Sequence, residues 1–146
     1  MKQIGFLIIL FFLIVSCDKN DDNSIECSDS GDCDKCIIIN RDLYNETSTN
    51  NYTIQTIKVS QDCLEIEYAS SGCDGNSWEI DLVDLGAISE TAIPQRDLKL
   101  KLINIEDCEA FITRTISFNL EPLQLNNYDA INLKIADFND LIRYEY

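Results

Sequence analysis

Apolar and polar residues alternate in one run after another from Tyr52 to the end of the chain, and this alternation limits the fold more than any other feature. An apolar side chain at every second position is typical of a β-strand with one buried side and one solvent-facing side. Seven such runs lie at residues 57–60, 64–68, 78–82, 98–102, 112–120, 131–135 and 142–146. Segments rich in Gly, Asn and Asp separate them, and no stretch of a dozen residues keeps a helical repeat. The sequence therefore predicts an all-β domain, an antiparallel β-sandwich at residues 37–146, with a polar loop at residues 44–51.

The first 16 residues have the pattern of an export signal. Lys2 supplies a positive charge, and residues 4–15 are uncharged and apolar. A membrane-spanning helix needs about 20 apolar residues to cross ~30 Å of hydrocarbon, so this stretch is too short to span. We predict that residues 1–16 are a signal peptide that is removed on export.

The end of this segment, Ile14-Val15-Ser16-Cys17, resembles the lipobox of bacterial lipoproteins. The resemblance implies that Cys17 receives a diacylglycerol thioether, becomes the first residue of the mature chain and anchors it to a membrane. The alternative is an ordinary signal peptide followed by an unmodified cysteine.

Residues 18–24 are polar and acidic and cannot bury a core, so they predict a flexible tether of roughly 23–25 Å when fully extended. Lys19 followed by acids resembles the surface-export signal of lipoproteins in Bacteroidota, although Asn20 interrupts the pattern. A different rule, from enterobacteria, reads Asp18 as a signal for retention in the inner membrane. We predict an envelope protein on the outer membrane, at its periplasmic face or at the cell surface.

The chain has seven cysteines, so lipidation of Cys17 leaves an even set. An exported chain meets an oxidising compartment, where such cysteines form disulfides. The candidates are Cys27, Cys33, Cys36, Cys63, Cys73 and Cys108. Residues 17–36 are therefore predicted to be a lipidated acidic tether followed by a disulfide-rich N-terminal segment.

The predicted strands restrict how these cysteines pair. Cys63 and Cys73 flank one strand and lie ~30 Å apart, which is too far for a disulfide. If the strands meander, Cys73 and Cys108 fall at the same end of the sandwich and can pair. Three cysteines precede the sandwich and three lie within it, so full pairing requires a bridge between the two parts.

Cys63, Trp78 and Cys108 follow one another in the order of the cysteine, tryptophan and cysteine of immunoglobulin domains. The spacing is approximate, and Glu106 stands where those domains have a tyrosine. We predict an immunoglobulin-like architecture without membership of that family.

A second resemblance covers most of the mature chain. It rests on Cys63-Leu64, Ser71-Gly72-Cys73, Trp78, Pro94-Gln95-Arg96, Cys108, Ser117-Phe118-Asn119-Leu120 and Pro122-Leu123. This set is similar to small uncharacterised lipoproteins of Bacteroidota. The resemblance implies a compartment and no particular chemistry.

Several classes of site are excluded or disfavoured by composition. The chain has no histidine, which excludes Ser-His-Asp and Cys-His catalysis and zinc sites that use histidine. The net charge of −15 disfavours nucleic acid as a partner. Cys33-Asp34-Lys35-Cys36 matches a redox or zinc CxxC motif, but its acidic loop context favours a structural disulfide role.

Other groups of residues have both a functional and a structural interpretation. The acids of residues 29–34 could hold Ca²⁺, or form a solvated loop. Carboxylate pairs on one strand could hydrolyse glycosides, or face solvent. The pairs are Glu65 with Glu67 and Glu79 with Asp81. Four aromatic residues could form a platform for sugars or peptides, or pack structurally: Trp78, Tyr128, Tyr144 and Tyr146.

We therefore predict a lipid-anchored envelope lipoprotein that acts as a non-catalytic binding or interaction module. No catalytic residue, cofactor or metal is predicted. The expected partners are the membrane, through the lipid, and a protein or glycan ligand. The alternatives are a glycan-acting enzyme or accessory that uses carboxylates, and a structural subunit of an envelope complex.

Overall fold

The seven alternating runs all form strands in the computed structural model, which describes residues 30–146. The signal peptide, Cys17, the tether and Cys27 lie outside the described residues. In chain order the elements are β1 (Lys35–Cys36), β2 (Ile38–Ile39), α1 (Arg41–Glu46), β3 (Thr53–Ser60), β4 (Cys63–Gly72), β5 (Glu79–Ser89), β6 (Gln95–Ile103), β7 (Ala110–Asn119), a 3-10 helix (Glu121–Leu123), β8 (Ala130–Ile135) and β9 (Ile142–Glu145).

The strands form two sheets, with the orders β1-β7-β4-β3 and β2-β5-β6-β8-β9. Both sheets contribute to one hydrophobic core, which includes Leu64 and Phe118 from the first sheet and Leu100 and Leu133 from the second. In β6, buried and half-buried residues alternate, as a period of two requires. The all-β prediction is confirmed.

Not every strand pair is antiparallel, which corrects the sequence prediction. β1 with β7, β2 with β5, and β6 with β8 are parallel pairs. The last pair is parallel because β7, which comes between β6 and β8 in the chain, belongs to the other sheet. β8 therefore returns beside β6 in the same direction.

The polar stretch predicted to be a loop begins with one short helix, α1. The side chain of Asn40 caps it by accepting a hydrogen bond from the Leu43 N–H at 2.9 Å. At the other end, the Lys99 ammonium donates to the carbonyls of Tyr44 (2.9 Å) and Thr47 (3.2 Å). A helix of six residues is too short to show a helical period, so only its cap marks it in the sequence.

The N-terminal segment joins both sheets. β1 lies at the edge of the four-stranded sheet, and β2 lies at the edge of the five-stranded sheet. Between them Ile37 crosses from one sheet to the other and is only 1% exposed. The side chain of Asp34 accepts hydrogen bonds from the backbone N–H and the hydroxyl of Ser117, which fixes the start of β1 against β7.

Two disulfides mark the two ends of β4. Cys33 bonds Cys63 at the first residue of β4, and Cys73, directly after the last residue, bonds Cys108. We call these the proximal and distal ends; ten residues of strand separate them by ~30 Å. The predicted pairing of Cys73 with Cys108 is confirmed, and so is a bridge between the N-terminal segment and the strands. Cys36 is disulfide-bonded as well.

An ion pair is buried where the pairing of β5 and β6 becomes irregular, between Asp84 and Ile88. The Arg96 guanidinium donates two hydrogen bonds to the Asp84 carboxylate, at 3.0 Å from Nε and 2.7 Å from Nη2. The side chain of Asp84 is fully buried, and that of Arg96 is 7% exposed. Asp84 also accepts from the N–H of Gly86, whose φ of +69° suits glycine.

Candidate functional site

A cleft of about 420 Å³ opens at the distal end of the domain. Three parts of the chain form its walls: the segment that leads into β3, the end of β4 with the start of β7, and the connection between β6 and β7. Its lining residues are Asn50, Asn51, Tyr52, Thr53, Ala69, Ser70, Ser71, Asn104, Glu106 and Phe111. The cleft therefore combines amide and hydroxyl side chains with two aromatic rings.

Hydrogen bonds tie the polar walls of the cleft to one another. Asn51 donates from Nδ2 to the carbonyl of Leu102 (2.9 Å), and its own carbonyl accepts from the Ser70 hydroxyl (2.6 Å). Asn104 donates from Nδ2 to the Ser70 hydroxyl (3.2 Å) and to the Ser71 carbonyl (2.7 Å). The network links both sheets, so the polar groups of the cleft are held in place before any ligand arrives.

Tyr52 is a buried member of the lining. Its hydroxyl donates to the carbonyl of Leu100 at 2.7 Å. Burial, with a smaller effect from the charge of Asp137, raises the pKa of this phenol well above its usual range. Tyr52 therefore stays neutral. Its hydrogen bond attaches the segment that precedes β3 to strand β6.

Glu106 organises the distal wall. Its Oε2 accepts hydrogen bonds from the backbone N–H groups of Cys73 (2.6 Å), Asp74 (3.2 Å) and Gly75 (3.1 Å). Its Oε1 accepts from the Ser77 hydroxyl at 2.7 Å. The hydrogen bond from Ser77, followed by those from the backbone, lowers the pKa of Glu106 to about 2. This carboxylate is consequently ionised at neutral pH, and its hydrogen bonds hold the turn after β4.

The turn held by Glu106 packs against Trp78. A Cβ atom added at Gly72 would lie 2.5 Å from Glu106 Oε2 and 2.8 Å from Cζ2 of Trp78, so only glycine fits there. The Trp78 ring also contacts that of Tyr68, with 6.0 Å between the ring centroids. Turn, carboxylate and indole form one packed unit behind the cleft.

Arg114 supports the same turn from β7. Its guanidinium donates to the carbonyl of Asp74 and to Oδ1 of Asn76. Two nearby donors, Nε of Arg114 and Nε1 of Trp78, are buried and have no hydrogen-bond partner among the described residues. Both donors lie behind the turn and do not line the cleft.

Phe111 stands exposed at the start of β7, with 65% of its surface accessible. The backbone of Phe111 pairs with Ser71 of β4 near the first residue of β7. Ile105, in the connection between β6 and β7, is 78% exposed but does not line the cleft. An exposed aromatic ring beside polar side chains suits the cleft for contact with a partner or ligand.

A second cleft, of about 440 Å³, adjoins the first one and shares Asn50 and Asn51 with it. Its other lining residues are Leu43, Glu46, Thr47, Ser48, Lys101, Leu102 and Ile103. The two clefts are therefore neighbours that meet at Asn50 and Asn51.

The acids considered for catalysis are engaged elsewhere. Glu65 pairs with Lys58 at 3.7 Å on the exposed surface of the β3–β4 hairpin. Asp81 pairs with Lys35 (3.3 Å) and Lys101 (3.7 Å). Neither these two residues nor Glu67 and Glu79 line the distal cleft.

The four aromatic residues proposed as a platform are dispersed. Trp78 is half-buried against the core at the distal end. Tyr144 is fully buried at the proximal end, where its hydroxyl donates to Asp62, and Tyr146 packs on it with ring centroids 5.0 Å apart. Tyr128 is exposed beside Ile88 and Pro94. Phe111 is the aromatic residue that sequence reasoning missed, because its place on a strand does not reveal a neighbouring cleft.

The motifs considered for redox or metal chemistry have structural roles. Cys33 bonds Cys63 and so does not pair with Cys36, which confirms the structural interpretation of the CxxC motif. The Asp34 carboxylate binds Ser117. Within residues 30–146, no group of three or more His, Cys, Asp or Glu residues is placed to hold a metal ion. No helix of this region has the length and apolar character to cross a membrane.

No family model and no curated protein matches the sequence. Among solved structures, the chain is similar to a protein of unknown function, DUF1344, from Bacteroides vulgatus ATCC 8482, with a TM-score of 0.51 and 18% identity. The match covers 77% of this chain and 55% of that protein, so this chain spans about half the length of its structural neighbour. The likeness shows a shared fold.

Proposed function

We propose that this chain is a lipid-anchored, non-catalytic binding protein of the cell envelope, attached through Cys17 and carrying an immunoglobulin-like β-sandwich. The observation that carries the proposal is the placement of the distal cleft. The N-terminal segment joins the domain at the proximal disulfide, whereas the cleft lies at the other end of β4. A tethered domain arranged in this way presents its cleft away from the membrane.

The dimensions support this arrangement. β4 places the cleft ~30 Å from Cys63, where the N-terminal segment is bonded. A tether of seven residues adds up to roughly 23–25 Å. The cleft can therefore reach ligands well beyond the lipid headgroups while the chain stays anchored at Cys17.

The state of Glu106 favours binding over catalysis. General acid catalysis at neutral pH needs a carboxyl group whose pKa is raised toward 7. Glu106, the acid of the distal cleft, has a pKa of about 2, and its oxygens accept hydrogen bonds from Ser77 and the turn after β4. It cannot act as a general acid at that pH, which supports a binding role over acid catalysis.

Intact mass of the full chain, expressed in a lipoprotein-processing bacterium and extracted from membranes with detergent, tests the anchor. We expect a species that begins at Cys17, carries a lipid mass increment and gains about six hydrogens on reduction of three disulfides. Cys17→Ala is the matched control and should release the protein from the membrane fraction. A species that retains Met1, or one cut elsewhere without lipid, contradicts the proposal.

A structural subunit of an envelope complex is the second candidate. Ile88 (44% exposed) and Tyr128 (47% exposed) stand beside Pro94 and Leu125 around a more apolar cleft of about 280 Å³. Cross-linking on intact cells distinguishes the candidates. A stable partner that is lost in Ile88→Ser/Tyr128→Ser favours the structural role, whereas cross-links that persist in this variant do not.

A further inference from the structure

We propose that the distal cleft binds a neutral saccharide, with the Phe111 ring as its stacking surface and the amides of Asn50 and Asn51 as its hydrogen-bonding groups. This inference rests on the proposed binding role and names the class of ligand. The groups that carry it lie on both sides of one groove at the distal end.

The charge of the distal cleft favours a neutral ligand. The lining of the distal cleft contains one ionised residue, Glu106, and both of its oxygens accept hydrogen bonds from the protein itself. The carboxylate of Glu106 is therefore not free to pair with a cationic ligand. An anionic ligand finds no lysine or arginine in this lining and meets a chain of net charge −15. The cleft is suited to a neutral, polar ligand.

The side-chain amides of the cleft have hydrogen-bonding groups left for a ligand. A primary amide offers two N–H donors and one oxygen acceptor, which matches a sugar hydroxyl that both donates and accepts. Asn51 uses one N–H on the Leu102 carbonyl and keeps its second N–H and its Oδ1. Asn50 accepts from the Ser48 hydroxyl through Oδ1 and keeps both N–H groups. Asn104, by contrast, donates its N–H groups to Ser70 and Ser71 and so holds the polar wall of the cleft in place.

The exposed ring of Phe111 offers an apolar face to a sugar. One face of a pyranose ring is lined by C–H groups and packs on an aromatic face, while its edge hydroxyls remain free for amides. Phe111 supplies such a face beside the amides, and 65% of its surface is accessible. Because β4 pairs with β7 at Ser71, the backbone that carries the ring is fixed beside Ser71 of the polar wall.

The adjoining cleft extends the groove. Asn50 and Asn51 line both clefts, while Phe111 lines the first and Ile103 lines the second. The second cleft therefore offers further surface beside the same two amides. We therefore expect oligosaccharides to bind more tightly than single sugars.

The experiment titrates the full chain with a panel of neutral oligosaccharides, comprising gluco-, manno-, galacto- and N-acetylglucosamine oligomers. Binding is followed by calorimetry and by shifts of the Asn side-chain amide signals in NMR spectra. At least one series should bind, with shifts at Asn50 and Asn51. Phe111→Ala should weaken that binding roughly tenfold, whereas Phe111→Trp should retain it.

Tyr128→Ala is the matched control, because Tyr128 is also an exposed aromatic residue but lines a different cleft. Its affinity should equal that of the wild type. Affinity that is equal in Phe111→Ala and the wild type, or no binding by any neutral series, overturns the inference. Capture of an extended peptide or of an acidic sugar in the cleft overturns it as well, yet leaves the binding role standing. The mass of the same preparation reports the Cys17 anchor separately, so failure of the anchor and failure of the ligand class are distinguished.

Discussion

The carboxylate of Glu106 accepts a hydrogen bond from the backbone N–H of Cys73 at 2.6 Å, and Glu106 lies two residues before Cys108, the disulfide partner of Cys73. Cys63 and Cys108, the pair compared with the cysteines of immunoglobulin domains, do not bond each other, because Cys63 bonds Cys33 and Cys108 bonds Cys73. Glu106 ties its side chain to the backbone of the turn after β4. The disulfide and the carboxylate hold the same turn by two independent means.

This relationship predicts how stability depends on pH. The pKa of Glu106 is lowered on folding from 4.5 to about 2, so the unfolded chain binds this proton more readily. Its stabilising contribution is fully present above pH ~4.5 and is lost as the pH falls toward 2. Urea unfolding at a series of pH values should show a shallower loss of stability for Glu106→Gln than for the wild type in this window. Glu109→Gln, on the same connection, is the control and should keep the wild-type slope.

Gly72→Ala should destabilise the distal end. The added Cβ would approach Glu106 Oε2 to 2.5 Å and the Trp78 ring to 2.8 Å, and the hydrogen bonds of Glu106 restrain it from moving aside. Overpacking of this kind costs about 1–3 kcal/mol. Thermal unfolding measures the loss of stability. The fluorescence of Trp78, the single tryptophan of the chain, reports the change around its ring. Ser71→Ala, at the neighbouring exposed position, should stay within about 0.5 kcal/mol of the wild type.

Removing the distal disulfide should lower stability without abolishing the fold. Cys73 and Cys108 are separated by 35 residues, and a bridge of this kind contributes about 2–4 kcal/mol. Cys73→Ser/Cys108→Ser should show that loss in urea unfolding and, because the turn borders the cleft, should weaken ligand binding too. A variant as stable as the wild type would show that Glu106 alone suffices to hold the turn.

The buried ion pair gives a test with an internal rescue. Arg96→Met leaves the fully buried Asp84 carboxylate without its partner, and breaking such a pair costs about 3–5 kcal/mol. The double variant Asp84→Leu/Arg96→Met removes both charges and should recover most of that loss. Equal instability of the single and double variants would mean that the irregular pairing of β5 with β6 requires the ion pair itself.

The strands could be predicted because a period of two is local information. β3 to β9 each carry it. The pairing of Cys73 with Cys108 was expected only for meandering strands, whereas in the structure β7, and not β5, pairs with β4 and brings Cys108 to Cys73. The parallel pairs could not be predicted, since they depend on which sheet each strand joins. Helix α1 was missed because one turn gives no period.

The cleft was harder to predict than the strands. Asn51, Asn104 and Phe111 come from three separate parts of the chain, and only the register of β4 with β7 and the course of two loops bring them together. Sequence alone marks Asn residues as turn formers. Phe111 lies directly before the predicted run at residues 112–120, on the face opposite Ile112, so the period of two places its ring toward solvent but does not reveal the neighbouring cleft.

The proximal disulfide has a mechanical consequence. A pull on the N-terminal segment reaches Cys33, and the bond to Cys63 passes the load to β4, a strand paired on both sides. Peeling that segment away therefore requires breaking a covalent bond as well as the few hydrogen bonds of a two-residue edge strand. The N-terminal segment therefore keeps its attachment to the domain under tension that would separate a strand held by hydrogen bonds alone.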